Sequence, residues 1–434
     1  MSGGPHERVG VVSIGDEICL GQKLDTNSRW IAQRLSDSGA LVGEHASVPD
    51  DAGLIAATFE RLARDHDLVV TTGGLGPTAD DLTREGLARA MGEELVEDAG
   101  ALEWITAYVR ARGREMTETQ RTQTMRPSGA RCLKNDAGTA AGLVGRVGAC
   151  DVVCLPGPPR EMRPMFEGWA RDGLRIAAGA RVWTRFVHAC GIAEADAAQR
   201  LGGLLARDRN PMVGITVSET VITLRMRYRG EEGEARARLD EAEKEARGVL
   251  GAHVFGAGEE TLAGSVLRRL IARGETVVCA ESCTAGMLGA AFGDVAGASG
   301  AFLGGWVTYS NEMKAMELGV ARELVARVGA VSEEVARAMS EGALVNGDAD
   351  HALSVTGVAG PSGGSEEKPV GTVFIARSWR EKGMARTEVR RFLFRGERAV
   401  VRLRSVQSAL SMLHFGIEGV EGVRLLAERG LKGD

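Results

Sequence analysis

Short apolar runs rich in β-branched residues recur along the chain. Each is followed by a polar or glycine-rich stretch and then by apolar residues at helical spacing. The run 9–14 (VGVVSI) reads as a buried strand. The loop GDEICLG follows it, and the segment Thr26 to Ser38 has helical spacing up to a stop at Gly39. Residues 67–72 (DLVVTT) and 151–155 (DVVCL) predict two further strands. Helices are predicted over 82–91, closed by Gly92, and near 160–169. Strands alternating with helices over residues 1–170 predict an α/β layer with a mostly parallel sheet.

From 171 to 257 the rhythm changes. Strand-like VWTRFVHAC (182–190), a helix around 194–206 and VITLRMRY (221–228) precede a highly charged helix. That helix carries Leu239, Ala242, Ala246 and Val249 on one face, and its charges read as solvated. This stretch predicts a small α+β domain. From 258 to 434 the α/β pattern returns. A helix ends at Gly274, a strand covers 276–280 and a helix starts near 285. An apolar turn FLGGWVTY comes next, then helices at 311–318 and 333–345. Strands 351–356 and 371–376 flank a long glycine-rich loop, and a last helix begins near 397. The chain therefore predicts a multidomain α/β protein. TGGLGP (72–77) and TGVAGP (356–361) share T-G-x-x-G-P directly after a strand; they read as separate solutions to a similar nucleotide-binding problem.

Composition narrows the partners. At 434 residues, with 44% hydrophobic and 26% charged, the chain is long enough for two to four packed domains and is neither disordered nor fibrous. A net charge of −6 and 4% aromatics disfavour nucleic acid and anionic membranes as partners. No apolar run approaches the roughly 20 residues of a spanning helix. The segment MSGGPHERVGVVSIGDE lacks secretory features, so a cytoplasmic location is expected. Seven cysteines, an odd number, suit reduced thiols, and Cys150 with Cys154 reads as buried apolar packing rather than zinc binding.

In the C-terminal third, the strand 276–280 runs into AESCTAG (280–286), which places Ser282 and Thr284 in a strand-to-helix turn. A hydroxyl there lies beside helix N-terminal N–H groups that can hold a developing oxyanion. The plainer reading is an N-cap. Cys283 is a weaker nucleophile candidate, with no histidine near in sequence. In VTYSNEMKAMELG, Ser310 is a natural N-cap, which puts Tyr309 at N′ and Lys314 at N4. Those positions pack together in a hydrophobic staple, so the phenol and amine are expected to meet. The positive end of the helix dipole and burial both favour a neutral amine, one route to an activated serine. The alternative is a solvated lysine with Tyr309 as packing. Thr356 ends a strand and opens the loop TGVAGPSGGSEEKPVGT, whose glycines suit wrapping a ligand. Arg398 and Arg402 lie one helical turn apart, as a phosphate clamp or as plain surface charge.

In the N-terminal part, four loops (15–27, 71–83, 135–142 and 155–166) are polar or glycine-rich, and the first two follow predicted strands. Ligands of open α/β sheets bind at such strand ends. Gly15, Asn27, Gly73, Gly74, Gly76, Thr78 and Gly157 are the candidate nucleotide-site positions. Asp16, Glu17, Asp80 and Asp81 bring carboxylates to that edge, as a divalent metal with a diphosphate requires. Asp80 or Asp81 equally suits capping of the helix near Leu82.

The motifs ESCTAG, VTYSNEMK, GAVSEEVARAM, TGVAGPSGGSEEKPVGTV and FRGERAVVR, over roughly 258–415, resemble the CinA C-terminal domain family. These are nicotinamide-nucleotide amidases, which convert nicotinamide mononucleotide to nicotinate mononucleotide and ammonia. The resemblance implies Ser282 as acyl nucleophile, Lys314 and Tyr309 handling its proton, and Thr356 near the reacting amide. It also implies Thr284, Gly286, Gly357, Gly360, Gly363, Gly364 and Arg398 around the substrate, with no cofactor for the amidase. One departure is Ala285-Gly286, where the family usually has Gly-Gly. Residues 8–170 resemble the molybdopterin-binding-like domain of full-length CinA proteins, and 171–255 their middle linker domain. The N-terminal resemblance implies an ADP-ribose pyrophosphatase using Mg, Mn or Co, and the family implies a homodimer. Asp16 stands where that family commonly has Thr, and Asp25 where it has Asn. The expected function is thus a hydrolase of pyridine-nucleotide salvage acting on nicotinamide mononucleotide and ADP-ribose. The alternative is a nucleotide- or pterin-binding scaffold with vestigial hydrolase residues. A role in DNA uptake is disfavoured by acidity and scarce aromatics.

Overall fold

A computed structural model describes residues 4–177 and 181–431. The chain divides into two compact units, Met1–Trp183 with Arg229–Ala235, and Thr184–Tyr228 with Arg236–Asp434.

The first unit is built on a six-stranded sheet in the order Leu41–Val48, Arg8–Ile14, Leu68–Thr72, Cys150–Leu155, Gly142–Val147, Arg131–Leu133. The first three pairings are parallel and the last two antiparallel. The apolar runs become the central strands because both of their faces are covered. Val12 and Val69 pack against Ile55, Phe59 and Leu87 on one face. Val11 and Val70 pack against Ile31, Leu35 and Phe166 on the other. Helices Asn27–Ser38 and Thr83–Met91 end at Gly39 and Gly92, both left-handed, as their glycine stops predict. The edge strand Leu41–Val48 (LVGEHASV) has no apolar run, because only part of it is covered.

In the middle of the chain a four-stranded sheet runs in the order Met212–Ser218, Val221–Arg229, Val182–Cys190, Val254–Ala257. The charged helix Glu232–Leu250 buries Ala235, Leu239, Ala242, Ala246 and Leu250. Val249, expected on that face, is 38% exposed. A period of 3.6 carries the stripe from Ala246 to Leu250 instead.

The third sheet runs Phe302–Val307, Val277–Glu281, His351–Gly357, Thr372–Glu381, Met384–Leu393, Glu428–Arg429. Its first two pairings are parallel and the other three antiparallel. Helices Leu262–Arg273 and Arg398–Ile417 cover the face that carries Cys279, Leu353 and Val355. Helix Glu333–Asn346 covers the face that carries Val278, Ala280 and Ala352. The expected turn FLGGWVTY is instead an edge strand. Gly305 reflects close packing: a Cβ there would lie 2.4 Å from Cys279 Sγ. No helix among the described residues is long and apolar enough to cross a membrane.

Candidate active site

Three parallel strands end side by side in the C-terminal part. Ser282 directly follows Val277–Glu281, Thr308 directly follows Phe302–Val307, and Thr356 closes on the end of His351–Gly357. Ser282 N–H donates to Val355 O and Thr308 N–H to Glu281 O, so the ladder carries on through both residues. Along these strands Val278, Ala280 and Ala352 share one face. The period of two puts Ser282 and Thr356 on it as well.

Helix Asn311–Leu318 starts at Ser310, whose side chain accepts from Met313 N–H. That cap sets Lys314 at the fourth position, one turn in. The Lys314 residue is 1% exposed. Its Nζ lies 3.1 Å from Ser282 Oγ, 2.9 Å from Thr308 O, 3.4 Å from Tyr309 O and 3.5 Å from Ser310 O. Burial pushes the amine below the ordinary lysine value of 10.5, against smaller opposing effects of Cys283 and Glu312.

Tyr309 meets that amine with its carbonyl, not its ring. The phenol is 55% exposed, and its oxygen accepts from Arg398 Nη2 at 2.8 Å. The staple geometry expected for Tyr309 and Lys314 is thus replaced: a buried amine takes polar acceptors, and the carbonyls of 308–310 supply them. Arg398, the first residue of its helix, also donates to Gly360 O at 2.8 Å and so ties the glycine-rich loop to Tyr309. Arg402 Nη2 donates to Thr284 O at 2.7 Å. The buried hydroxyls of Thr284 and Thr308 have no hydrogen-bond partner, whereas Thr356 donates to Ala330 O at 2.8 Å.

The segment after Ser282 differs from expectation. The helix begins only at Met287, with Gly286 before it. Its first N–H groups are not free for an oxyanion. The Glu281 carboxylate accepts from Gly286 N–H and Leu288 N–H at 3.0 Å each and from Gly289 N–H at 2.8 Å. Sequence reasoning passed over Glu281. The available signal was an acidic residue just ahead of a helix start, where the dipole favours an anion. Ala285 has φ 49°, in the left-handed region. This is the position where the resembling family has glycine, and alanine there costs about 1 kcal/mol or more. Ala285→Gly is therefore expected to raise the melting temperature by about 2–4 °C per kcal/mol relieved, measured by thermal unfolding.

In the loop after Thr356, Gly360 and Gly363 have φ 84° and 88°. Gly357 and Gly364 serve close packing instead: a Cβ on Gly357 would lie 2.8 Å from Thr372 O, and one on Gly364 2.8 Å from Val370 N.

The N-terminal unit holds a cleft of about 880 Å³. Gly15, Glu17, Asn27, Gly73, Gly74, Gly76, Thr78, Asp80, Asp81 and Gly157 line it. Asn27 Nδ2 donates to Gly157 O at 2.6 Å and to Thr72 Oγ1 at 3.1 Å, so it ties two loops together. Asp81 accepts from Gly76 N–H at 2.7 Å and from Thr78 N–H at 2.9 Å, and it closes that loop. It does not cap the helix, which begins at Thr83 without a side-chain cap. Asp16 and Asp50 each donate a backbone N–H to the other's carboxylate, and burial raises the Asp50 carboxyl above the usual range, with Asp16, Glu17 and Asp81 adding to it. Asp50 follows an edge strand that lacks an apolar run, which is why the sequence did not single it out. Among the described residues no three His, Cys, Asp or Glu side chains are arranged to hold a metal ion. Of the four expected carboxylates, Glu17, Asp80 and Asp81 line the cleft, Asp81 also closes its own loop, and Asp16 pairs with Asp50.

Comparison with known proteins covers the same regions. The CinA C-terminal domain model matches residues 259–416, and the Damage-inducible protein CinA KH domain model residues 184–256. The Probable molybdopterin binding domain model matches residues 10–175. The CinA-like protein of Citrifermentans bemidjiense is 42% identical over 409 residues, covering 94% of this chain and 96% of that one. The CinA-like protein of Geobacter sulfurreducens is 40% identical over 420 residues, covering 94% and 98%. Among solved structures, the protein CinA with unknown function from Thermoplasma acidophilum is 34% identical with a TM-score of 0.37, covering 38% of this chain and 98% of that one. The competence/damage inducible protein of Agrobacterium tumefaciens is 38% identical with a TM-score of 0.34, covering 37% and 97%. The architecture is a molybdopterin-binding-like α/β domain, a KH-like middle domain and a C-terminal CinA domain, and the chain belongs to the CinA family.

Proposed function

We propose that the protein is a hydrolase that deamidates nicotinamide mononucleotide through an acyl-enzyme on Ser282. The 3.1 Å contact between Ser282 Oγ and the buried Lys314 Nζ carries this reading. With the amine neutral, Oγ–H donates to Nζ. Lys314 takes that proton as Oγ attacks the carboxamide carbon. The oxyanion then forms beside the Cys283 and Thr284 N–H groups of the turn, because Val355 O and Ser282 O take those of Ser282 and Ala285 and Glu281 takes those of the helix. Collapse of the intermediate breaks the C–N bond. The proton held by Lys314, with the Tyr309 phenol beside the site, goes to the leaving ammonia. Water, deprotonated by Lys314, then hydrolyses the ester to nicotinate mononucleotide and frees Ser282. Among the described residues Arg398 donates only to neutral acceptors, a carbonyl and a phenol, which leaves its charge for the substrate phosphate.

A second activity, hydrolysis of ADP-ribose with Mg, Mn or Co, is proposed for the N-terminal cleft on its size and its glycine turns at strand ends. The test uses the full chain. Ammonia and nicotinate mononucleotide are expected in equal amounts with a chelator present, and AMP from ADP-ribose with divalent metal. Absence of both products would favour the scaffold reading.

A further inference from the structure

We propose that Glu281 is a positioning residue for Ser282: by holding three N–H groups beyond the turn, its carboxylate fixes the segment that delivers the hydroxyl to Lys314. This rests on reading Ser282 as the nucleophile.

Successive side chains alternate across a strand, so Glu281 and Ser282 leave the end of Val277–Glu281 on opposite faces. Glu281 follows Cys279, whose Sγ lies 3.8 Å from Glu281 Oε1. Ser282 follows Ala280 toward Lys314. Glu281 is 1% exposed, and its acceptors are filled by Gly286, Leu288 and Gly289 N–H groups. No proton transfer is asked of it. What it does is geometric. Main chain leaves Glu281, turns through Ser282 to Ala285, and is drawn back to the same side chain at Gly286. One residue therefore holds both ends of the turn.

The turn needs holding. Ala285 and Gly286 are consecutive left-handed residues, φ 49° and 91°. Alanine leaves that region readily unless its surroundings over-determine it. The strand side pins Ser282 through its N–H on Val355 O, and Ala285 N–H reaches back to Ser282 O. The bond from Gly286 N–H to Glu281 pins the peptide that directly follows the strained alanine. A buried carboxylate is costly to keep unless hydrogen bonds satisfy it, so turn and carboxylate stabilise each other.

The test is Glu281→Gln, which keeps volume but replaces one acceptor oxygen with a donor that faces N–H groups. The readout is the second-order rate constant for modification of Ser282 by phenylmethanesulfonyl fluoride. In that reaction Oγ bonds to sulfur, fluoride leaves, and the proton passes to Lys314. A rate constant is independent of the fraction of active molecules, so simple loss of folded protein does not move it. The expected result is at least a tenfold lower rate constant and kcat, with KM within about threefold. In an Ala285→Gly background, which relieves the strain, the loss should shrink severalfold. That background also provides a folded test should the single variant aggregate. An unchanged rate constant and kcat in folded Glu281→Gln would overturn the proposal. Failure of the reagent to modify Ser282 in the unsubstituted protein would instead overturn the nucleophile reading.

Discussion

Ser282→Ala is expected to lower ammonia release from nicotinamide mononucleotide by at least about 10³-fold, with the fold intact. The proposed route has no bond-forming step without Oγ. Losing a nucleophile costs roughly 10³- to 10⁶-fold where a serine works with a base. The substitution is structurally mild. Lys314 Nζ keeps Thr308 O at 2.9 Å and the carbonyls of Tyr309 and Ser310, so no buried donor is stranded. The backbone bond from residue 282 to Val355 O is unaffected by the side chain. Far-UV circular dichroism should match the unsubstituted protein. A folded alanine variant that keeps full turnover would reject Ser282 as nucleophile.

Lys314→Met is expected to cost about 10²- to 10⁴-fold in kcat/KM, the range for removing a positioned base. Methionine fills nearly the same buried volume and needs no acceptor, so unfolding is a smaller concern than with alanine. The pH dependence supplies an independent check. Only the neutral amine accepts the serine proton, so activity rises with pH as Lys314 deprotonates. Burial lowers its pKa, which places this acid limb below the free-lysine value of 10.5. The methionine variant should lose the limb along with the activity. The Ser282→Ala, Lys314→Met double variant should be hardly worse than either single one, since the two groups act as a unit. Additive losses would mean that the 3.1 Å contact is not used in the reaction.

Much of the frame was legible from local pattern. The runs at 9–14 and 67–72 are central strands, Gly39 and Gly92 end helices, and Ser310 caps the helix that carries Lys314. Each of these rests on neighbours within a few residues, where periodicity and capping act. Partly covered strands were missed. Leu41–Val48 and Met384–Leu393 (MARTEVRRFL) carry polar residues on an open face, and Phe302–Val307 hides behind two glycines. Their strand character comes from pairing with segments that are distant along the chain.

The site divides the same way. Spacing alone placed a hydroxyl in a turn after a strand and an amine one turn into a helix. Folding brought them together across 32 residues. It gave the Tyr309 phenol to Arg398, 89 residues away, although the helix geometry had pointed it at Lys314. It also turned Glu281 under its own turn. Short-range stereochemistry constrains what each segment becomes. Which buried polar groups satisfy one another is set by contacts between segments that no local pattern encodes, because in a packed interior each donor takes whichever acceptor the whole arrangement brings within reach.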